Sequence, residues 1–539
     1  MLRLLDTRRP RLLLVCFCLL LWIPGFFTLP PGDRDESRFA QATKQMLETG
    51  DFVRIQNGAE ARNRKPIGIY WLQAPFAAAA RAAGLAQANP IWPYRLPSAL
   101  GALIGVLATF GLGERLIGRR AALLGAAFLA ASVLLTSEVH IAKTDAALFG
   151  SVVVAMGVLA RTYLDPAPIS RGRAALFWLA LAVSILLKGP IGPMVAGLAA
   201  LTLAIADRRG RWLLTLRPGW GVPLMLACVL PWFVAISLAT HGQFFADAVG
   251  GDLGRKLSSG DDAHGGPPGL HLLLLPALLL PAAAALPGAF RRGWRDRHEA
   301  APRFLLAWIV PSWIVFEATP TKLPHYTLPL QAAICLLAAW FVLRPDRRPI
   351  GRFAAALPVV VALILGGALE AGPMLLNQPI VLGLPSLLAA LLIAACFVPL
   401  LRRADAGRPA LESRAFLAGL VGMPLFYGAT LGWELPNLPP LWIAPRVVAA
   451  LPKGRLAAVG FAEPSLMFLA GTDTLWANAA DGAAALASGR VASLLVGDRD
   501  WPAVQAALHA AAPVAIITGF NYSRGRFVTL RLLTSKGTP

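Results

Sequence analysis

Apolar stretches long enough to cross a bilayer recur through most of this chain, and few folds tolerate that pattern. A spanning helix needs roughly 20 mostly apolar residues, because inside lipid every backbone group must find its partner within the segment. The stretches are 12–29, 94–116, 121–139, 146–163, 174–187, 191–206, 222–239, 270–286, 304–316, 326–343, 353–369, 380–400 and 415–431. Lys188-Gly189-Pro190 divides two of them, and Pro311 is expected to bend the short segment at Phe304. With 56% hydrophobic residues among 539, the chain reads as a polytopic α-helical membrane protein of about thirteen transmembrane helices. Pro30-Pro31 is not a small-residue cleavage site, so the first segment reads as a retained anchor.

Charge orients these segments. With the N-terminus inside, the inner loops hold Arg8, Arg9, Arg11, Arg119, Arg120, Arg171, Arg173, Arg291, Arg295, Arg348 and Arg403, as the positive-inside rule requires. The same assignment sends all eight lysines outside, from Lys44 and Lys65 to Lys453 and Lys536. The net charge of +21 therefore anchors loops to anionic lipid, and no nucleic-acid partner is inferred from it. The five cysteines all lie in apolar segments, with neither a disulfide framework nor metal-thiolate spacing.

Two expected outer regions are large. Residues 30–93 form a first loop in which 37–49 and 67–83 have helical, interfacial character, rich in Tyr70, Trp71 and Phe76. Residues 435–539 change pattern to short apolar strands at 456–461, 491–496, 514–517 and 527–532, with helices at 463–469 and 501–511. That predicts a small extracytoplasmic α/β domain behind a membrane domain of residues 1–434.

Chemistry-bearing residues gather on the expected outer side. Asp33-Arg34-Asp35-Glu36-x-Arg38 follows the first span; it reads either as a carboxylate with a helper cation or as a helix cap with a solvated charge run. Arg64-Lys65-Pro66 before Tyr70-Trp71 can grip a lipid phosphate or merely attract head groups. Lys143-Thr144-Asp145, Lys188-Gly189-Pro190, Arg255-Lys256 with His264, and Lys322-Leu323-Pro324-His325-Tyr326 are further outward turns. Each alone is a cap or a snorkelling cation. Together they make a cationic outer pocket beside acids, suited to the departure of a phosphate. No nucleotide-binding glycine pattern, zinc spacing or nucleophilic Ser-His-Asp order is present, so an activated group would arrive on a lipid carrier.

Asp35-Glu36-Ser37-Arg38-Phe39-Ala40, Lys65-Pro66 with Tyr70-Trp71-Leu72-Gln73, Thr144-Asp145, Lys188-Gly189-Pro190, Pro231-Trp232 and Lys322-Leu323-Pro324-x-Tyr326 resemble, in order, the lipid-linked aminoarabinose transferase family. That family looks like the GT-C glycosyltransferases and is related to the protein mannosyltransferases. The resemblance implies sugar transfer from a polyprenyl-phosphate donor to a lipid or glycan acceptor of the lipid A type. The reaction would invert the sugar and take place at the periplasmic face of a bacterial inner membrane. It implies Asp35 and Asp145 as catalytic acids. It assigns donor-phosphate binding to Arg38, Lys65, Tyr326, Arg255 and Lys322, with Glu36, His264 and Lys188 as accessory groups.

Two departures matter. Arg64 stands where the family has a glutamate, which removes a carboxylate from any divalent-metal site, so no metal or other cofactor is carried over. Phe39 replaces a tyrosine. Both leave glycosyl transfer intact while weakening the case for an aminoarabinose donor. A protein O-mannosyltransferase is the nearest alternative. An ion-coupled transporter or flippase is an alternative of another class, against which the boundary position of the acids counts.

Overall fold

The computed structural model describes residues 5–85, 89–165, 167–253, 265–401, 408–509 and 511–535. All thirteen apolar segments contain helix. Eight described helices are long and apolar enough to cross a membrane, and ten if each of two sharply bent pairs counts as one crossing. Pro10–Trp22, Ile191–Ala206 and Arg171–Lys188 lie outside that set, being too short or too charged. The chain is a multi-pass helical membrane protein, with eight to ten qualifying spans where the sequence suggested about thirteen. Ala300–Ala318 is a continuous helix through Pro311, which does not interrupt it.

Small residues set the spacing of the central helices. Trp92–Leu116 and Asp145–Leu164 cross where Gly101 meets Gly150; a Cβ on Gly150 would strike the Gly101 carbonyl. Close backbone approach of this kind is how helices gain contact where lipid supplies no hydrophobic drive. Leu328–Leu343 is buried along nearly all its length against this pair and against Arg119–Ala130. The segment at 119–139 breaks by 58°. Its cause is Ser132, whose hydroxyl accepts from the Leu135 amide at 3.3 Å and caps the second piece, Val133–Val139.

The first loop forms two helices, Asp35–Thr49 and Gly68–Ala82, joined by a short hairpin of β1 (Gln56–Asn57) and β2 (Glu60–Ala61). Gly50, at φ +74°, ends the first helix in the left-handed conformation that glycine adopts without strain. Asp35–Thr49 does not lie on a surface as its amphipathic pattern suggested. It is buried from Glu36 to Met46 except at Arg38, between Gly68–Ala82 on one side and the C-terminal unit on the other.

That unit is a five-stranded sheet ordered β4-β3-β5-β7-β6, from β3 (Leu456–Val459), β4 (Leu475–Trp476), β5 (Ser493–Gly497), β6 (Ala515–Asn521) and β7 (Arg526–Thr534). β3 pairs in parallel with β4 and β5, while β7 runs antiparallel to β5 and β6. Alternate residues of β3 enter different cores: Leu456 and Ala458 join Ile443, Leu466 and Leu530, whereas Ala457 and Val459 join Leu494, Val504 and Leu533. Strand β4 and helix Ala479–Ala487 were not read from the sequence; two residues of strand and an alanine-rich helix give little periodic signal.

The C-terminal unit docks on the first loop through polar contacts. Lys44 Nζ donates to the Phe468 carbonyl at 3.0 Å, Gln41 to Thr472 at 2.8 Å and Thr472 to Glu48 at 2.7 Å. Arg34, at φ +63°, donates to the Ser523 carbonyl at 2.7 Å. The Asp33 amide donates to the Tyr522 hydroxyl at 2.5 Å, and its carboxylate accepts from the Ser465 amide at 3.3 Å. Burial at this seam pushes the Asp33 carboxyl up to about 6, against the opposing hydrogen bond from Ser465 and with Glu463 adding repulsion. A carboxyl raised on folding stabilises fully below its unfolded value near 3.8 and loses that contribution as pH climbs through about 6. Thermal melting of the purified protein should therefore show a fall in midpoint between pH 4 and pH 7 that Asp33→Asn flattens. Parallel profiles for the two proteins would refute the seam's titration.

Candidate active site

One carboxylate organises the region. Arg95, on Trp92–Leu116, is buried and donates to both oxygens of Glu36, from Nε at 2.8 Å and Nη2 at 3.0 Å. Glu36 also accepts from the amides of Gly32 at 2.7 Å and Ala142 at 2.9 Å. Arg95 spends its remaining donors on the Phe26, Leu29 and Pro30 carbonyls. Glu36 is thus a structural tie, not a group facing a substrate. Its neighbour Asp35 turns the other way, with a side chain 61% exposed.

Asp35 opens on a cavity of about 580 Å3 at the end of the bundle. Its wall includes Arg34, Arg38, Arg62, Arg64 and Lys65 from the first loop, and His325 and Tyr326 from the turn before Leu328–Leu343. Arg62 follows β2, stacks its guanidinium 4.5 Å above the Phe39 ring and lies 3.8 Å from Asp35. Burial and the neighbouring Arg62 lower the Arg38 pKa, as expected where cations crowd before an anion binds. Asp35 and Glu60 are the exposed acids among these cations, Glu60 standing on β2, while Asp33 also lines the cavity but is tied to Ser465.

Behind the wall lies a second, buried charge network. Asp145, the first residue of its helix and 6% exposed, is ion-paired with Lys188 and lies 3.7 Å from Lys143 and 3.9 Å from His325 Nε2. Lys143 in turn pairs with Glu138 at 2.9 Å and contacts His325 Nδ1 at 3.4 Å. Burial opposes the Lys143 charge, but Glu138 and Asp145 outweigh it and hold the ammonium above the usual lysine range. Ser98 fixes the turn by donating to the carbonyls of Ile141 at 2.8 Å and Lys143 at 3.1 Å. Lys188 sits 5.3 Å from the centre of the Tyr326 ring, so the network braces Tyr326 and His325 from behind.

The structure therefore gathers Asp35, Arg38, Lys65 and Tyr326 around one cavity, with Asp145 and Lys188 in a supporting layer. Lys322 does not join the wall: it is buried, and its ammonium donates to the Thr319 carbonyl at 2.9 Å. Arg255, Lys256 and His264 lie outside the described residues. Arg34, Arg62 and His325 are not singled out as site residues by the sequence, whereas Arg64 stands both in the Arg64-Lys65 pair that can grip a phosphate and as a departure from the family. A cation at the end of a two-residue strand has no periodicity to mark it, although His325 was visible inside the Lys322–Tyr326 turn.

Comparison with known proteins adds to this geometry. The family model for dolichyl-phosphate-mannose-protein mannosyltransferases matches residues 64–234. The chain is 28% identical over 327 residues to the undecaprenyl phosphate-alpha-4-amino-4-deoxy-L-arabinose arabinosyl transferase of Pseudomonas paraeruginosa, covering 59% of this chain and 55% of that protein. It is also 28% identical over 351 residues to the enzyme of that name from Pectobacterium carotovorum, covering 61% and 58% respectively. The chain thus aligns with little more than half the length of these relatives. The crystal structure of ArnT from Cupriavidus metallidurans bound to undecaprenyl phosphate superposes with a TM-score of 0.76 over 96% of this chain and 97% of that one, at 20% identity. The chain has the ArnT fold. The ArnT apo structure superposes similarly, with a TM-score of 0.74 at 21% identity. The fold match extends over 96% of the chain, and the relatives found by sequence carry the name of the family that the motifs resemble.

Glu36 and Asp35, adjacent in sequence, should respond oppositely to substitution. Glu36→Ala leaves Arg95 buried without its partner, a loss of about 3–5 kcal/mol, whereas Asp35→Asn removes an exposed carboxylate and should leave the thermal midpoint close to wild type. Melting of both variants in detergent measures this; equal destabilisation would contradict the division of roles.

Proposed function

We propose that this protein is a glycosyltransferase that moves a sugar from a polyprenyl-phosphate carrier to an acceptor hydroxyl of a lipid A-type or other envelope glycan. The reaction takes place at the periplasmic face of a bacterial inner membrane. The observation that carries this reading is the cavity itself: an exposed Asp35 among Arg38, Arg62, Arg64 and Lys65, at the end of a helical bundle where a lipid phosphate can arrive. The names of its relatives, transferases that use an undecaprenyl-phosphate sugar, support the same chemistry.

In this mechanism Asp35 accepts the proton of the acceptor hydroxyl as its oxygen attacks the anomeric carbon. The bond from that carbon to the phosphate oxygen breaks with its electron pair, and the charge developing on the phosphate is met by Lys65 and Arg38. Attack opposite the leaving phosphate inverts the sugar. Tyr326 and His325 form the facing wall, positioned by Asp145 through Lys188 and by Lys143. Asp145 acts here as a positioning residue, since its carboxylate is ion-paired and buried. Arg64 adds a cation to the cavity, which disfavours a positively charged amino sugar and favours a neutral or anionic one.

Asp35→Asn should lower the rate of sugar transfer by about 10²–10⁴-fold, the usual contribution of a general base, in a protein that inserts and melts normally. Transfer at the wild-type rate would remove Asp35 from the mechanism. Lys65→Ala should weaken binding of undecaprenyl phosphate by roughly ten- to a hundredfold, the worth of one charge-assisted hydrogen bond. Direct titration with the carrier lipid reads this, and unchanged affinity would reassign Lys65.

A further inference from the structure

A second cationic cavity lies at the opposite end of the bundle from Asp35. Leu328–Leu343 connects the two ends. The turn before it supplies His325 and Tyr326 to the active-site cavity, while Phe341, in its last turn, floors the other. Its sixteen residues separate the two places by about 24 Å at roughly 1.5 Å per residue, close to the thickness of the hydrocarbon core.

This cavity, of about 410 Å3, has an apolar floor and a basic rim. Phe341, Phe353 and Ala354 form the floor; Arg291, Arg295 and Arg348 stand at the rim, all three exposed. The helix Leu286–Arg295 that carries two of these arginines follows a 110° bend after Leu270–Leu278, so it runs across the end of the bundle instead of along it. Leu286, Ala289 and Gly293 face inward, and Trp294, 58% exposed, lies among the arginines of its outer face. Phe353, 77% exposed, stands at the same level. An amphipathic helix with an outward tryptophan and arginines is the arrangement found at the level of lipid head groups.

The arginines of this end are not equivalent. Arg292 is ion-paired with Asp296 and Asp346, Arg344 bonds Glu299 at 2.8 Å, and Arg347 is buried against Glu412. Those contacts hold the end of the fold together. Among the described residues no acidic partner is recorded for Arg291 or Arg348, and Arg295 is only 3.4 Å from an Asp296 already shared with Arg292. Three cations thus stand around an apolar floor.

We propose that this cavity binds the head group of an anionic glycerophospholipid in the leaflet remote from the active site. The phosphate would sit among Arg291, Arg295 and Arg348, and the glycerol and upper acyl carbons on Phe341 and Phe353. Charge complementarity calls for an anion, and the apolar floor beside exposed aromatics calls for one that brings hydrocarbon with it, which a free phosphate does not. The bound lipid would fix Leu286–Arg295 against the end of Leu328–Leu343, whose other end carries the active-site wall.

Native mass spectrometry of the full-length protein, released from micelles containing equal phosphatidylglycerol and phosphatidylcholine, tests this. The protein should retain phosphatidylglycerol in preference. The triple variant Arg291→Gln/Arg295→Gln/Arg348→Gln should lose that retention by about tenfold or more. A variant of equal charge change elsewhere on the same face, Arg171→Gln/Arg173→Gln/Arg211→Gln, should keep it. Equal retention by all three proteins, or equal loss in both variants, would overturn the site. A second measurement needs no variant: phosphatidylglycerol should raise the wild-type melting midpoint above that in phosphatidylcholine. No rise, or an equal rise with millimolar inorganic phosphate, would count against a lipid ligand.

Discussion

The buried pair of Glu36 and Arg95 is the contact on which the candidate active-site end depends. A carboxylate removed from water is tolerated only when its lone pairs are filled, and Glu36 fills them with two arginine donors and two backbone amides. Those four bonds come from three separate pieces of chain: the end of the first span, the helix Trp92–Leu116 and the turn leading to Asp145. One side chain therefore sets where the first-loop helix begins, which way Asp35 points and how near the Lys143–Asp145 turn lies. Strong pairing here serves geometry more than stability, since two buried charges repay their desolvation only when the arrangement is nearly ideal.

Around that tie the charges divide into two layers with different work. The inner layer pairs its charges internally: Glu138, Lys143 and Asp145 are buried, Lys188 and His325 half-buried, and the two acids face the two lysines. The outer layer is not. Arg38, Arg62, Arg64 and Lys65 crowd a wall that holds fewer carboxylates than cations, with Arg62 held apart by stacking on Phe39. Crowding like charges is costly in an empty cavity and becomes favourable when a phosphate enters. The cavity is thus organised for an anion before one binds, which is the condition under which fixed cations stabilise a developing negative charge.

The C-terminal unit belongs to this arrangement. Its contacts through Ser465, Phe468, Thr472, Tyr522 and Ser523 fall on Asp33, Arg34, Gln41, Lys44 and Glu48, the residues that flank and back Asp35 and Arg38. The helix Asp35–Thr49 is consequently clamped from two sides, and this explains why an amphipathic stretch that looked interfacial is buried.

Much of this protein follows from sequence alone. The apolar segments and the arginine and lysine asymmetry specify a polytopic helical membrane protein, because hydrocarbon length and backbone pairing leave no other solution for such segments, and the first-loop motif adds a resemblance to the lipid-linked aminoarabinose transferase family. Asp35, Arg38, Lys65 and Tyr326 were readable as a group because short motifs recur in order along the chain. What sequence could not separate was Asp35 from Glu36, two adjacent acids at one helix start. Only the tertiary structure, by bringing Arg95 from fifty-nine residues away, turned one inward as a tie and left the other facing the cavity. The same holds for Arg62, which the sequence does not mark, and for Lys322, which it does. Arg62 reaches the wall because a short hairpin delivers it over Phe39, and Lys322 turns to its own backbone at Thr319. Which way a side chain faces depends on partners distant in the chain, and local pattern carries no record of them.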